Sequence, residues 1–363
     1  MGDIILYIMV LFSIIGGVDK LLGNRHGLGE KFDEAFRNMG GLTLSMVGII
    51  SLAPFISQIL SPVLMKLSNV TGADPSIFIS SILATDLGGY TSSVELAIIN
   101  EMVTPIAEFS GLILASTMGV TISFIIPVAV NLIPRDDFHC FAKGILSGII
   151  TIPIGMVIGG AAMGISLDII LINLLPVLIL SIIIGFGLFK YQDKTLYIFN
   201  ILGKSVVVIS TIGLLISILD FILGIKLIPN MIPFEEAFII VGKTTIIISG
   251  AYPLFYFLSN KFGKHLNKLS SRLGINEFST LGLMTSLANA IPTMGIYGSM
   301  DNKGKILNAA FMTSGAFTFG GQLAYVSSMS KDIITPFLLA KLSGGILSVV
   351  LASLIFKIDR KET

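Results

Sequence analysis

The sequence predicts an all-α polytopic membrane protein, with about nine transmembrane helices and two re-entrant hairpins arranged as two inverted repeats. Three observations carry that expectation. Apolar runs of membrane length recur along the chain, its basic residues sort to one side only if two of those runs turn back, and its two halves share motifs in the same order. Of the 363 residues, 53% are hydrophobic and 12% charged, whereas roughly a quarter of a soluble chain is charged. With a mean hydropathy of +0.92, the chain has too little polar surface to cover a soluble particle. Lipid must solvate much of it.

A spanning helix needs about 20 mostly apolar residues. Runs of that kind fall near 3–22, 41–65, 77–99, 110–133, 141–164, 168–189, 199–224, 238–260, 278–297, 306–328 and 333–356. The longest polar stretch is 20–37, so no soluble domain is left over. Residues 4–18 read as a retained helix, because no basic n-region or small-residue cleavage site marks a signal peptide. The runs at 77–99 and 278–297 differ from the others. One is centred on Thr85-Asp86-Leu87-Gly88-Gly89-Tyr90 and the other on Ala288-Asn289-Ala290-Ile291-Pro292. Gly-Gly and Pro interrupt helices, and here they fall where the bilayer midplane would lie.

Basic residues favour cytoplasmic loops, which makes topology countable. With Lys341 set aside because it lies inside a run, Lys and Arg divide 11 to 11 if all eleven runs cross. If 77–99 and 278–297 are hairpins that return to the side they came from, 18 fall inside and only Lys66, Lys226, Lys243 and Lys331 outside. The second arrangement is expected, with the N-terminus outside and the C-terminus cytoplasmic.

The internal repeat agrees with that count. Asp19-Lys20-Leu21-Leu22-Gly23 parallels Asp220-Phe221-Ile222-Leu223-Gly224, and Leu52-Ala53-Pro54-Phe55 parallels Ala251-Tyr252-Pro253-Leu254. Asp86 then stands opposite Asn289, Ala115-Ser116-Thr117-Met118-Gly119 opposite Thr313-Ser314-Gly315, and Gly159-Gly160 opposite Gly344-Gly345. The expected organisation is a first repeat at 1–166, a linking helix and loop at 167–197, and a second repeat at 198–363. Four crossings and one hairpin bring the second repeat in from the opposite side. Inverted repeats with discontinuous helices near the midplane are a common plan for secondary transporters.

The polar residues inside these runs are the candidate site. A carboxylate at mid-membrane costs several kcal/mol unless paired or hydrated, and such residues mark solute or ion paths. Asp86 therefore suits an ammonium-bearing solute; alternatively it caps the second half of its hairpin. Thr85, Tyr90, Asn289 and Thr293 can add hydrogen bonds or an aromatic face for a cation. Ser116, Ser314 and Gln322 are further binding candidates, although small and hydroxylated residues in membranes commonly serve helix packing. Lys341 lies about a third of the way into its run, either as an internal cation displaced during transport or as a fixed pair. Glu95 is its candidate partner.

Several classes are excluded. Cys140 is the only cysteine, so neither an intrachain disulfide nor a thiolate metal site can form. No zinc-hydrolase, nucleophile-elbow or phosphate-loop motif is present, and no basic cluster points to nucleic acid. No cofactor or metal is expected, and no enzyme.

The stretches Leu83-Ala84-Thr85-Asp86-Leu87-Gly88-Gly89-Tyr90, Ser110-Gly111-Leu112-Ile113-Leu114, Thr151-Ile152-Pro153-Ile154-Gly155, Gly250-Ala251-Tyr252-Pro253, Leu287-Ala288-Asn289-Ala290-Ile291-Pro292 and Asp301-Asn302-Lys303-Gly304-Lys305 together resemble the ethanolamine utilisation permease family, EutH. They extend over nearly the whole chain. The resemblance implies an ethanolamine transporter or facilitator in the bacterial inner membrane, working by alternating access with substrate at the hairpin tips. Ethanolamine, as its protonated amine, and the lipid bilayer are then the partners, and moving hairpins favour a homodimer. One departure is Gly320-Gly321-Gln322, where enterobacterial members are expected to carry an acidic residue and a histidine, so a proton-coupling role of such a pair does not carry over. The alternatives are an ion-coupled permease for another small amine or amino acid, and a membrane-embedded enzyme or assembly subunit without transport.

Overall fold

The computed structural model describes residues 2–100 and 105–362, the side chains of 262–269 and 358–362 excepted. Part of the basic count over 261–272 and 357–361 therefore lies outside the described residues. Among these residues the chain is helical with no strand. Helix α1 (Gly2–Leu21) is followed by the short amphipathic α2 (Leu28–Arg37) and the long α3 (Met39–Thr71). The polar stretch at 20–37, which reads from sequence as a loop, is thus half helix. Asp19 holds it in place, since the α2 backbone N–H groups of Leu28 and Gly29 both donate to Asp19 Oδ2, at 2.9 and 3.0 Å.

Two short helices come next, α4 (Pro75–Ser80) and α5 (Tyr90–Ile99). Then comes a central helix that begins as α6 (Pro105–Glu108), widens into π-helical turns over Phe109–Gly119 and Thr121–Ile125, and closes as α7 (Ile126–Leu132). Four long helices follow: α8 (Phe138–Ala162), α9 (Leu167–Lys190), α10 (Gln192–Leu223) and α11 (Phe234–Leu273). The chain ends with the broken pair α12 (Glu277–Ala288) and α13 (Ala290–Gly295), then α14 (Asn302–Gly315), α15 (Gly321–Met329) and α16 (Ile334–Glu362).

Eight helices among the described residues are long and apolar enough to cross a membrane, and they coincide with eight of the nine expected crossings. The ninth, 306–328, is not one helix. Ala316 is extended and Phe317 left-handed, with φ of 61°, so the run divides into α14 and α15. The two unusual segments are also interrupted, at 81–89 and at Asn289.

The most enclosed long helix is the central one, with 83% of its apolar window buried. It packs against α8, α14 and α16, which also pack on one another. Around this core, α1 lies on α11 and α3 lies on α10. Both outer contacts need a residue without a side chain. A Cβ on Gly250 would stand 1.9 Å from the Met9 carbonyl oxygen, and one on Gly48 would stand 1.8 Å from that of Ser210. Such separations are far inside van der Waals contact, and backbone on both sides leaves no easy relief. The outer apolar faces of α9 and α10, including Ile182, Phe189 and Val207, are exposed, as suits side chains solvated by lipid.

Replacing Gly48 by Ala is expected to force α3 and α10 apart at a cost of about 1–3 kcal/mol. The thermal unfolding midpoint of the detergent-purified protein should fall accordingly, and an unchanged midpoint would show that this crossing is looser than described.

Candidate functional site

Both interrupted segments double back. Ser80 and Ser93 lie thirteen residues apart, yet their hydroxyl oxygens are 2.6 Å from one another. In a continuous helix the rise of ~1.5 Å per residue would separate them by about 20 Å. Likewise, the Thr293 hydroxyl donates to the Gly282 carbonyl at 3.0 Å and lies 2.8 Å from the Thr285 hydroxyl. Each turn is therefore pinned shut by hydroxyl side chains behind it.

The turns are built differently. Asn289 is extended, and its Oδ1 accepts the backbone N–H of Ile291 at 2.9 Å, which caps α13. In the first turn, Gly88 takes a φ of 88° and lets the chain swing into α5. Asp86 forms no capping bond there, and no side chain caps α5. Asp86 is enclosed by protein but keeps part of its surface accessible. Thr85 is fully buried and donates to the Gly111 carbonyl of the central helix at 2.8 Å.

The break in the 306–328 run joins the two turns. The N–H groups of Phe317 and Phe319 donate to the carbonyls of Ser286 and Leu287, at 2.9 and 2.8 Å. Those carbonyls belong to the last turn of α12, where helical partners run out at the interruption. The unwound stretch so completes the second turn, while α15 directly beyond it packs on the first. There the Tyr90 and Tyr325 rings meet edge to face, 6.4 Å between centroids.

Lys341 enters the same region from α16. Its side chain is fully buried, and Nζ donates to the Ser116 carbonyl and to Gln322 Oε1, each at 2.6 Å, with the Phe337 ring 5.4 Å away. The Ser116 carbonyl lies in the π-helical stretch, where wider turns leave carbonyls free for other donors. No ion pair joins Lys341 to a carboxylate among the described residues. Glu95, its expected partner, is half-buried in α5. Three polar atoms of this region are buried without a well-formed hydrogen bond: Gln322 Nε2, the Ser314 hydroxyl, and the Tyr325 hydroxyl beside Thr91.

The structure thus brings Asp86, Tyr90, Ser116, Gln322 and Lys341 to one neighbourhood. It places Ser314 on the adjoining α14, where its hydroxyl meets Gly344 of α16. Thr85 and Thr293 serve as fastenings of their turns. Asn289 lines a separate cavity of about 270 Å³, walled by Lys31, Glu34, Tyr252, Tyr256 and Ser259 among others. Tyr325 and the 316–320 break were missed from sequence. The Gly320-Gly321 pair was their signal, matching the Gly88-Gly89 pair of the first turn. Among the described residues no group of three His, Cys, Asp or Glu could hold a metal.

Comparison with known proteins now bears on this geometry. The family described as "Ethanolamine utilisation protein, EutH" matches residues 1–355. The chain belongs to the EutH family. It is 42% identical to the probable ethanolamine permease EutH of Listeria monocytogenes, over 96% of this chain and 92% of that one. It is 35% identical to the protein of the same name from Salmonella typhimurium, over 99% and 96%. An uncharacterized Bacillus subtilis protein, YxeR, is 40% identical over 97% and 94%. No solved structure matches the chain. EutH-family membership puts it among membrane permeases, not enzymes.

The asymmetry of the two turns has a measurable consequence. Asn289→Ala removes a helix cap and should cost about 1 kcal/mol, whereas Asp86→Asn removes no helix cap and should leave stability intact or improved. Thermal unfolding of the two variants in detergent distinguishes them, and an equal loss in both would assign Asp86 a structural role.

Proposed function

We propose that this protein is a secondary transporter or facilitator that imports ethanolamine across the bacterial cytoplasmic membrane by alternating access. The ethanolammonium ion is held at Asp86. The observation that carries this reading is a carboxylate not used by any cap, gathered with Tyr90, Tyr325, Lys341 and the incompletely bonded Gln322 amide deep within an apolar protein. An ammonium ion leaving water needs a compensating charge and a full set of acceptors. Asp86 supplies the charge. Tyr90 and Tyr325 offer ring faces, and Gln322 and Ser314 have bonding capacity left for a hydroxyl. Lys341, tied to neutral oxygens, is the fixed cation that balances Asp86 when no substrate is present. The names of the Listeria and Salmonella relatives support ethanolamine as the solute.

On this reading the two doubled-back segments are re-entrant hairpins, and α14 with α15 form a ninth, discontinuous crossing. Residues 1–166 and 198–363 are then inverted repeats joined by 167–197. The outer contacts support that arrangement. The first helix of each repeat packs on the second helix of the other, and the carbonyls of Met9 and Ser210, 201 residues apart like Asp19 and Asp220, each meet a glycine there.

Radiolabelled ethanolamine flux into proteoliposomes tests the proposal. Wild type should accumulate label, and Asp86→Asn should lose at least about tenfold in rate, the equivalent of ~1.4 kcal/mol. Imposed sodium or proton gradients then separate coupled from facilitated transport. Flux undiminished in Asp86→Asn would remove the carboxylate from the mechanism. In a cysteine-free Cys140→Ser background, Lys226→Cys should react with an impermeant thiol reagent from outside and Lys194→Cys only from inside. The reverse pattern would invert the orientation.

A further inference from the structure

Asp86 does not line the cavity beside Asn289, and that cavity's walls have a chemistry of their own. It holds Glu34 and Lys31 from α2, Tyr252 and Tyr256 from α11, and Ser259 and Asn289. Helix α2 is brought there by two restraints. Asp19 clamps its first turn, and the buried Ala35 packs with Ile248 of α11 and Ala324 of α15. Lys31 and Glu34 follow at i,i+3 spacing and form an ion pair at 2.6 Å. The Lys31 ammonium also lies 5.9 Å from the centre of the Tyr256 ring.

A primary ammonium held by a carboxylate over an aromatic face is the usual way a protein binds an alkylammonium ligand. Here the protein fills the arrangement with its own side chain. The occupant is loosely held, since the Lys31 and Glu34 side chains are 33% and 40% exposed. Ion pairs this open to solvent contribute only about 0–1 kcal/mol, and the lysine stem can swing its charge into water. Three bonding positions are unspent: Glu34 Oε1 has no partner among the described residues, the Ser259 hydroxyl is buried without one, and the Asn289 amide has only its oxygen committed, to the α13 cap.

We propose that this cavity is a second, vestibular site for a primary alkylammonium that carries a hydroxyl group, and that Lys31 is a built-in competitor which the ligand displaces. The ammonium takes the place of Nζ between Glu34 and Tyr256, and the hydroxyl bonds to Ser259 or to the Asn289 amide nitrogen. The choice of ligand rests on the transport reading above, while the site rests on the cavity itself. Helix α15 separates the two sites, with Ala324 toward α2 and α11 and with Gln322 and Tyr325 toward Lys341 and Tyr90.

Equilibrium binding of radiolabelled ethanolammonium to the full-length protein in detergent tests this, with Glu34→Gln, Lys31→Gln and Asp86→Asn compared. Wild type should bind two equivalents. Glu34→Gln should weaken one of them by about tenfold or more, and Lys31→Gln should tighten the same one, a gain that damage to the fold cannot produce. If Asp86→Asn leaves both equivalents while Glu34→Gln removes one, the vestibule stands and the Asp86 reading falls. A single equivalent lost only in Asp86→Asn, an isotherm indifferent to both Glu34→Gln and Lys31→Gln, or no binding at all would each overturn the proposal.

Discussion

Backbone that leaves the helix inside lipid must find its hydrogen bonds within the protein, because each unsatisfied group costs several kcal/mol there. In this chain two breaks meet that demand for one another. The C-terminal carbonyls of α12 have lost their helical donors at Asn289, and the N–H groups of Phe317 and Phe319 have lost their acceptors in the unwound stretch before α15. Their pairing fixes where the second turn sits against the broken run. It also requires the close approach at Gly320, where a Cβ would lie 1.9 Å from the Ala288 carbonyl oxygen. The first turn repeats the pattern against the central helix, where a Cβ on Gly119 would lie 2.1 Å from the Leu83 carbonyl oxygen.

The polar cluster depends on this scaffold. Lys341 is tolerable in its buried position because a π-helical carbonyl and an amide oxygen receive two of its three donors. Both oxygens belong to irregular or short elements that exist only because the surrounding helices support them. The two turns are then free to differ in chemistry. Asn289 spends its side-chain oxygen on a cap, while Asp86, without that duty, keeps its carboxylate for something else. Two interrupted segments thus give one structural turn and one chemically available turn.

Helix α15 has two working faces for so short an element. One touches α2 and α11 at the solvent-facing cavity, and the other carries the residues nearest Lys341. A small rotation or shift of α15 would alter both environments together. The unwound stretch preceding it is a natural place for such a change, since hinges absorb motion in a few residues at element ends.

Composition and apolar periodicity alone determined that the chain is a helical membrane protein, and eight of its long helices were legible as runs of sufficient length. The polar centres at Asp86 and Asn289 were also legible, because Gly-Gly and Pro are visible wherever they stand. Three features were not. The 306–328 run looked continuous because Phe317 and Ala316 are ordinary helix residues by type and Gly320-Gly321 alone hinted at a break; the Ser286 and Leu287 carbonyls receive the N–H groups that the unwinding frees. The polar stretch at 20–37 hid α2, whose short helix is held by Asp19 and Ala35 rather than by its own propensity. Lys341 showed as a charge in an apolar run, but its partners, Ser116 at 225 residues' distance in sequence and Gln322 at 19, are set by helix packing. Local sequence fixes what a segment is able to form; which breaks are satisfied, and which charges meet, depends on contacts between residues far apart in the chain.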